Sequence, residues 1–426
     1  MSAAFTEAAR YRVFATCKSP IRTGGTERGT ELVLCDRFGI PYFQGTSISG
    51  ALRDRYEQCK GKKAAESLFG SQNVMGHLVI SDGMFSECMK LEMRPRLRID
   101  GRTATAADRG KFDVSHLPVG TMLQFTITWM GMLEDIEQQQ QVEQLLADLH
   151  YGVIRLGAQK TNGFGRVELE VRKQLYHMNH AEDRTAWLQD IDRSEPIDLP
   201  KVKEYNQILF TVKGHADNIL VRSGLRERRS TVRNASREVM TPIREAGIPV
   251  LPGSSVKGVL RARVKQIATY LGQPEAEEIL FGRGNCNADN GVAGNVVVDD
   301  VRLVKAQSQE ISRIRINRFT GGVIRKGLFT EEAICSDVEL HLRVPECVES
   351  HCGYLVYALR DLGLGLYNLG SSGAIGRGYM QVERITVTMP DGRVGELLFD
   401  QKRTCSIKDE QKVLQMLCEQ VERCVE

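Results

Sequence analysis

Residues 39–58, GIPYFQGTSISGALRDRYEQ, return as residues 247–266, GIPVLPGSSVKGVLRARVKQ. Without a gap the two copies share Gly, Ile and Pro at the start, then Gly, Ser, Gly, Leu, two Arg and the closing Gln. Each reads as an apolar run, a Gly-Ser/Thr-Ser turn and a basic amphipathic helix. The turn is expected to put Ser or Thr at the helix N-cap, where a side-chain oxygen satisfies a free backbone N–H. A helix start with Arg and Lys close behind it can hold a phosphate through its free N–H groups and its dipole. One copy alone would fit a strand–turn–helix kept for packing. Two copies, each followed by further matching sequence, point to a duplicated unit with a shared role.

The match runs well beyond these helices. LFGSQ (68–72) returns as LFGRG (280–284), HLVISDGMF (77–85) as NVVVDDVRL (295–303), and RLRIDGRTATAADRGKFD as RIRINRFTGGVIRKGLFT. LGAQKTNGFGRVELEV (156–171) returns within LGSSGAIGRGYMQVERI. The spacing stays nearly constant, so a whole domain is duplicated rather than a short solenoid unit. The first half reads as strands at 11–16, 77–85 and 121–131, with helices at 47–58 and 134–153 and a strand after the late glycine loop. Strand, helix, strand, strand, helix, strand is the βαββαβ order of a ferredoxin-like, RRM-like domain. The expected division is a first domain over 1–175, a linker over 176–207 with a short helix near 181–193, a second domain over 208–395 and a helical tail over 396–426. HLVISDGMF is expected to be one strand, 221–245 a polar Arg-rich loop, and 337–344 a strand of its own.

Length and composition set the outer limits. At 426 residues the chain is too long for one ordinary core. A formal net charge of +3 does not by itself demand a nucleic-acid partner, although basic runs are local. No apolar run spans a bilayer, and the first residues lack the pattern of a signal peptide. Eleven Cys without a regular framework suit a reducing cytoplasm. The Cys347, His351 and Cys352 group offers three zinc ligands at most, short of a structural zinc site.

Forty glycines gather in short loops between strands, where they permit positive φ and close approach of backbone to a ligand. Each half carries three basic, glycine-bearing elements: the turn and helix, a hairpin-like segment, and the late loop. Arginines and backbone N–H groups along them would track a row of phosphates. In the first half the candidates are Arg22, Ser47, Arg53, Arg55, Arg98, Arg102, Lys160, Gly163, Gly165 and Arg166. In the second they are Arg222, Arg229, Arg233, Ser254, Ser255, Lys257, Arg261, Arg318, Arg325, Gly376, Arg377 and Gly378. Aromatic residues are sparse among them, which favours backbone binding over base reading. The glycine loops precede strands rather than open helices, which excludes a dinucleotide site of the Rossmann kind.

On GIPYFQGTSISGALR, LFGSQ, RIDGRTATAADRGKFD and LGAQKTNGFGRVE, with their second-half partners, the sequence resembles the RAMP superfamily of CRISPR-associated proteins. The likeness is to the backbone subunits of type III effector complexes and covers nearly everything except linker and tail. The resemblance implies an α+β fold of two tandem ferredoxin-like domains with inserted thumb hairpins. It implies binding to a guide RNA, with complementary target RNA and other type III effector subunits as partners and no membrane. It also implies that some members cut target RNA with Mg²⁺ and an aspartate in the first loop. No Asp stands at that place here. Glu31, Asp36 and Glu238 are the nearest acids. Guide-RNA processing by a tandem ferredoxin endoribonuclease is a weaker alternative, since such relatives use an early His and the first here is His77.

Overall fold

In the computed structural model, the described residues are 5–24, 26–27, 30–31, 33–85, 90–100, 105–201, 206–230, 236–284 and 291–423. They form two compact units. Met1–Met93, Phe112–Lys160 and Phe164–Glu204 make up unit 1; Arg94–Lys111, Thr161–Gly163 and Tyr205–Glu426 make up unit 2.

Unit 1 is built on β1 (Glu7–Cys17), whose alternate residues Tyr11, Val13, Ala15 and Cys17 face the core. Next come α1 (Gly45–Lys60), α2 (Lys62–Phe69), β2 (Leu78–Ile80) and β3 (Gly83–Phe85). In chain order the hairpin strands β4 (Glu92–Ile99) and β5 (Ala106–His116) follow, of which Arg94–Lys111 belongs to unit 2, then β6 (Met122–Gly131), α3 (Glu137–His150) and β7 (Val167–His177). β1 lies between β7 and β6, antiparallel to both, and β6 pairs in turn with β2 and β3. The inward set of β6, Leu123, Phe125, Ile127 and Trp129, meets Ile48, Leu52 and Tyr56 of α1 in one apolar cluster. Those helix positions recur every four residues, which lays a single face of α1 on the sheet. In the expected linker, β7 runs on to His177, Glu195–Pro196 adds an edge bridge to it, and α4 (Ala181–Leu188) follows.

Unit 2 repeats the plan with longer strands. Its elements are β8 (Gln207–Ile219), β9 (Arg222–Ser230), β10 (Ser236–Pro242), α5 (Gly253–Tyr270), α6 (Glu275–Phe281), β11 (Val297–Val298), β12 (Gln307–Ile316) and β13 (Val323–Pro345). They continue with α7 (Cys352–Gly363), β14 (Met380–Thr388), β15 (Val394–Phe399), β16 (Cys405–Lys408) and α8 (Val413–Arg423). Sheet order is β9-β10-β13-β8-β14-β15-β16. The central β8 pairs antiparallel with β13 and β14, as β1 does with β6 and β7.

Three expectations on secondary structure are corrected. HLVISDGMF is not one strand but two, broken at Ser81 and Asp82, because the Asp82 carboxylate turns to a helix start. In the first loop, Cys35 makes an isolated bridge with Pro41. The Arg-rich 221–245 segment is not a loop but the β9–β10 hairpin. Acids interspersed among its arginines pair across it, as Arg226 does with Glu238 at 3.2 Å. Residues 337–344 belong to the 23-residue β13, which runs without a break from the β12–β13 hairpin into the core sheet. Before α8, the expected tail contributes β15 and β16 as edge strands.

Candidate nucleic-acid interface

The repeated turn does not use Ser or Thr as N-cap. The N-cap residues are Gln44 and Pro252, and neither makes a side-chain cap. The donor at the helix start, the Gly45 or Gly253 N–H, goes instead to Asp82 or Asp300, at 2.7 Å in both units. A carboxylate there satisfies an orphan donor and complements the helix dipole. The glycines are needed for this seating. A Cβ on Gly45 would lie 2.6 Å from the Ile80 carbonyl, and one on Gly253 2.3 Å from that of Val298. Thr46 and Ser47 are thereby left exposed, and Ser254 and Ser255 half-buried, on the first turn.

The late glycine loops are cross-braced in the same way in both units. Ala158 N–H donates to the Arg22 carbonyl and Ser371 N–H to that of Leu220, each at 2.9 Å. Leu156 and Leu369 N–H donate to the Gly165 and Gly378 carbonyls. In unit 1 this brings the loop beside the helix start and the first loop. Thr23, Gly24, Leu34, Phe43, Gln44, Ser47, Gly50, Ala51, Gly157, Ala158 and Lys160 line one cleft of about 380 Å³. Its floor is apolar, from Phe43, Leu34 and Ala51; its polar side chains are the Thr23 and Ser47 hydroxyls, the Gln44 amide and the exposed Lys160 ammonium. Such a cleft suits a sugar–phosphate: an anion for the lysine, donors for oxygens, and apolar surface for a ribose or base face.

The other candidates separate by what they already hold. Arg53 donates to the Gly70 carbonyl and Arg261 to that of Gly282, so each ties its helix to the next turn. Arg55 binds Asp148 of α3, and Arg263 binds Asp361 of α7. The basic residues at matched places in the repeat thus make matched internal bonds. Arg22 is buried and its carbonyl braces the loop. Gly163 is buried with φ +94°, and Gly376 has φ +81° with open space around it. Burial pushes the Lys257 ammonium down to about 8, with Arg261 adding to the effect. Arg98, Arg166, Arg318 and Arg325 are exposed. Arg102 and Arg233 lie outside the described residues.

Unit 2 gathers its remaining arginines on two neighbouring glutamates of β13. Glu331 is held by Arg222 at 2.7 Å, Arg377 at 2.9 Å and Arg313. Glu332 accepts from Arg229 at 2.8 Å, Arg244 and Ser308, while Arg229 also reaches Glu227 and Glu310, and Arg237 reaches Glu310. Burial alone would raise both carboxyls. Hydrogen bonds from Arg313 and Arg222 outweigh it at Glu331, and those from Ser308 and Arg229 at Glu332, so both lie below the usual carboxylate range. A carboxyl lowered in the folded state adds stability above its unfolded value, near about 4.3, and loses it as pH falls through the folded one. Unit 2 is therefore expected to lose stability progressively on acidification below about pH 4.5. Glu332→Gln should flatten that acid limb in far-UV circular dichroism melts. An unchanged limb would show that Glu332 does not carry it.

Two of the acids considered for catalysis are engaged within their own segments. Asp36 spends one oxygen on the Phe38 and Ile40 N–H groups, at 2.8 and 2.9 Å, and so shapes its own turn. Glu238 pairs with Arg226. The side chain of Glu31 lies outside the described residues. Among the described residues no three His, Cys, Asp or Glu side chains converge as metal ligands. His77 holds the Met130 carbonyl at 2.7 Å.

Asp82, Asp300, Glu331 and Glu332 were missed by sequence reasoning. For the first two a signal existed: Asp82 and Asp300 hold the same place in the matched stretches HLVISDGMF and NVVVDDVRL. The glutamates carry no such mark, because their partners are scattered from Arg222 to Arg377.

The RAMP superfamily profile matches residues 14–168 and 221–381, one stretch in each half. The CRISPR system Cmr endoribonuclease Cmr4 of Pyrococcus furiosus is 31% identical over 141 residues, covering 32% of this chain and 44% of that protein. The chain thus spans under half the length of that relative. A chain of a type III-B Cmr-beta complex bound to cognate target RNA, solved by cryo-electron microscopy, matches at 17% identity with a TM-score of 0.34, over 40% of this chain and 62% of the other.

Proposed function

The chain belongs to the RAMP superfamily, and we propose that it is a guide-RNA-binding backbone subunit of a type III CRISPR effector complex. Each unit would cover one segment of guide, beside other effector subunits and in the presence of complementary target RNA, in the cytoplasm. The observation that carries this reading is the unit 1 cleft, where the repeated turn, the first loop and the late glycine loop bring Thr23, Ser47 and Lys160 onto one apolar floor. The similarity to a Cmr4 supports the type III assignment.

We read the central sheets as ferredoxin-like palms. The order β7-β1-β6-β3, antiparallel across its pairs, supports that reading, and β14-β8-β13 follows it in unit 2. The β4–β5 and β12–β13 hairpins, with Arg98, Arg318 and Arg325 exposed on them, would be the thumbs. No helix among the described residues is long and apolar enough to cross a membrane.

The test is binding of a short single-stranded RNA of mixed sequence to the full chain. Affinity should fall as salt rises from about 50 to about 500 mM, the mark of phosphate contacts. Lys160→Glu should weaken binding about tenfold or more at low salt, since it replaces an attraction to phosphate by repulsion. Salt-independent binding, or a Lys160→Glu chain that binds as the parent does, would overturn the reading. Sequencing the RNA that accompanies the chain from its native assembly checks the guide itself: short RNAs with a constant tag and varied spacers are expected.

A further inference from the structure

The two units do not fill the late-loop site with the same residues. Aligned without a gap, LGAQKTNGFGR and LGSSGAIGRGY put Gly373 where unit 1 has Lys160, and Arg377 where it has Phe164. Aligning GKFDVSH with GLFTEEA puts Glu331 at the place of Val114. In unit 1, Phe164 is a core ring tilted against His116 at 5.5 Å. In unit 2 the same place is an ion cluster.

Charge decides what that cluster can do. Around Glu332 and Glu310, three arginines (229, 237 and 244) meet three glutamates, Glu227 included, and cancel. Around Glu331, three arginines (222, 313 and 377) share one carboxylate among the described residues, which leaves a surplus of two positive charges. Exposure is graded outward from that centre: Glu331 1%, Arg377 7%, Arg313 27%, Arg222 43%. The inner groups are fixed and the outer guanidinium edges reach solvent. Arg222 also lies 3.3 Å from the Ser372 hydroxyl, on a loop turned by positive φ at Gly370, Ser372, Gly376 and Gly378.

We propose that Arg222, Arg313 and Arg377, held in register by Glu331, form a phosphodiester-binding site of unit 2 that takes the place of the Lys160 cleft of unit 1. This rests on the RNA-binding reading above. Guanidinium forks pre-set by a buried carboxylate lose little freedom on meeting an anion and bind phosphate oxygens in pairs. The neighbouring balanced cluster, with no surplus, holds the β9–β10 hairpin to the sheet.

The experiment uses the full chain and the same single-stranded RNA, titrated at several salt concentrations. Arg222→Ala and Arg313→Ala should each weaken binding about fivefold or more, with the salt slope shallower by about 0.7 per lost phosphate contact. Arg393→Ala, which removes an equal charge from an exposed turn paired to Asp391, should bind as the parent does. Glu331→Gln should weaken binding although it adds net positive charge; tighter binding would mean that charge count alone matters and would overturn the site. Should Arg313→Ala fail to fold, Arg313→Lys keeps the charge, loses the fork and is expected to weaken binding. Parental affinity in the Arg222 and Arg313 variants, with Lys160→Glu still impaired, removes this site and leaves the RNA-binding function. Parental affinity in all of them removes both.

Discussion

Gly165→Ala and Gly378→Ala are each expected to destabilise their unit by about 3 kcal/mol or more, through two effects that add. The first is steric. A Cβ on Gly165 would lie 2.1 Å from the Leu156 carbonyl oxygen, and one on Gly378 2.0 Å from that of Leu369. Both neighbours are backbone and cannot turn aside, so the loop must open; overpacking of this kind costs about 1–3 kcal/mol. The second is conformational. The φ values are +84° and +71°, where an L side chain costs roughly 1–2 kcal/mol more. Opening the loop also breaks the bond from the Leu156 or Leu369 N–H to the same glycine's carbonyl. The readouts separate the units, because the chain's two tryptophans, Trp129 and Trp187, both lie in unit 1. Gly165→Ala should lower the tryptophan fluorescence transition in urea. Gly378→Ala should lower the far-UV circular dichroism transition without an equal change in fluorescence. Melting as the parent does would show that the loops yield and that these glycines serve something other than close packing.

The duplicated plan was legible because it is local. The turn, the apolar spacing of α1 and α5 and the alternation of β1 and β6 are each written within a few residues. What failed depended on distant partners. The N-cap expectation weighed the Ser or Thr of each turn against its own neighbours, whereas the donor was satisfied from Asp82, 37 residues on in unit 1, and from Asp300, 47 residues on in unit 2. The 221–245 segment looked like a loop because it is polar; as a hairpin its arginines are matched by Glu238, Glu310 and Glu332. The same blindness affects the candidate site. Sequence counts Arg53, Arg55, Arg222 and Arg229 as equal positive charges. Folding gives the first to a carbonyl, the second to an aspartate, the third to a shared glutamate and the fourth to three glutamates. Lys160, singled out on the spacing of the glycine loop, does sit exposed in the unit 1 cleft.

The matched arginines behind the two turns give the second large effect, and it should differ between the units. Arg55 meets Asp148 at 2.7 Å, with side chains 16% and 5% exposed. If Arg55 becomes Ala, the nearly buried carboxylate keeps, among the described residues, the Gln144 amide at 3.3 Å. Removing one partner of a buried pair costs about 3–5 kcal/mol, mostly from the charge left behind. In unit 2, Arg263→Ala leaves Asp361 with the Arg360 guanidinium at 2.9 Å, so the carboxylate stays paired and the cost should be nearer 1 kcal/mol, that of an ordinary ion pair. Arg55→Ala should therefore lower the urea midpoint of tryptophan fluorescence strongly, and Arg263→Ala should leave that signal in place. Arg55→Met with Asp148→Leu should recover most of the loss, because an apolar pair of similar volume removes the orphaned charge. A double variant no more stable than Arg55→Ala would place the cost in lost packing of the arginine stem. An Arg55→Ala chain that melts as the parent does but loses RNA affinity would move Arg55 from the helix interface to the RNA.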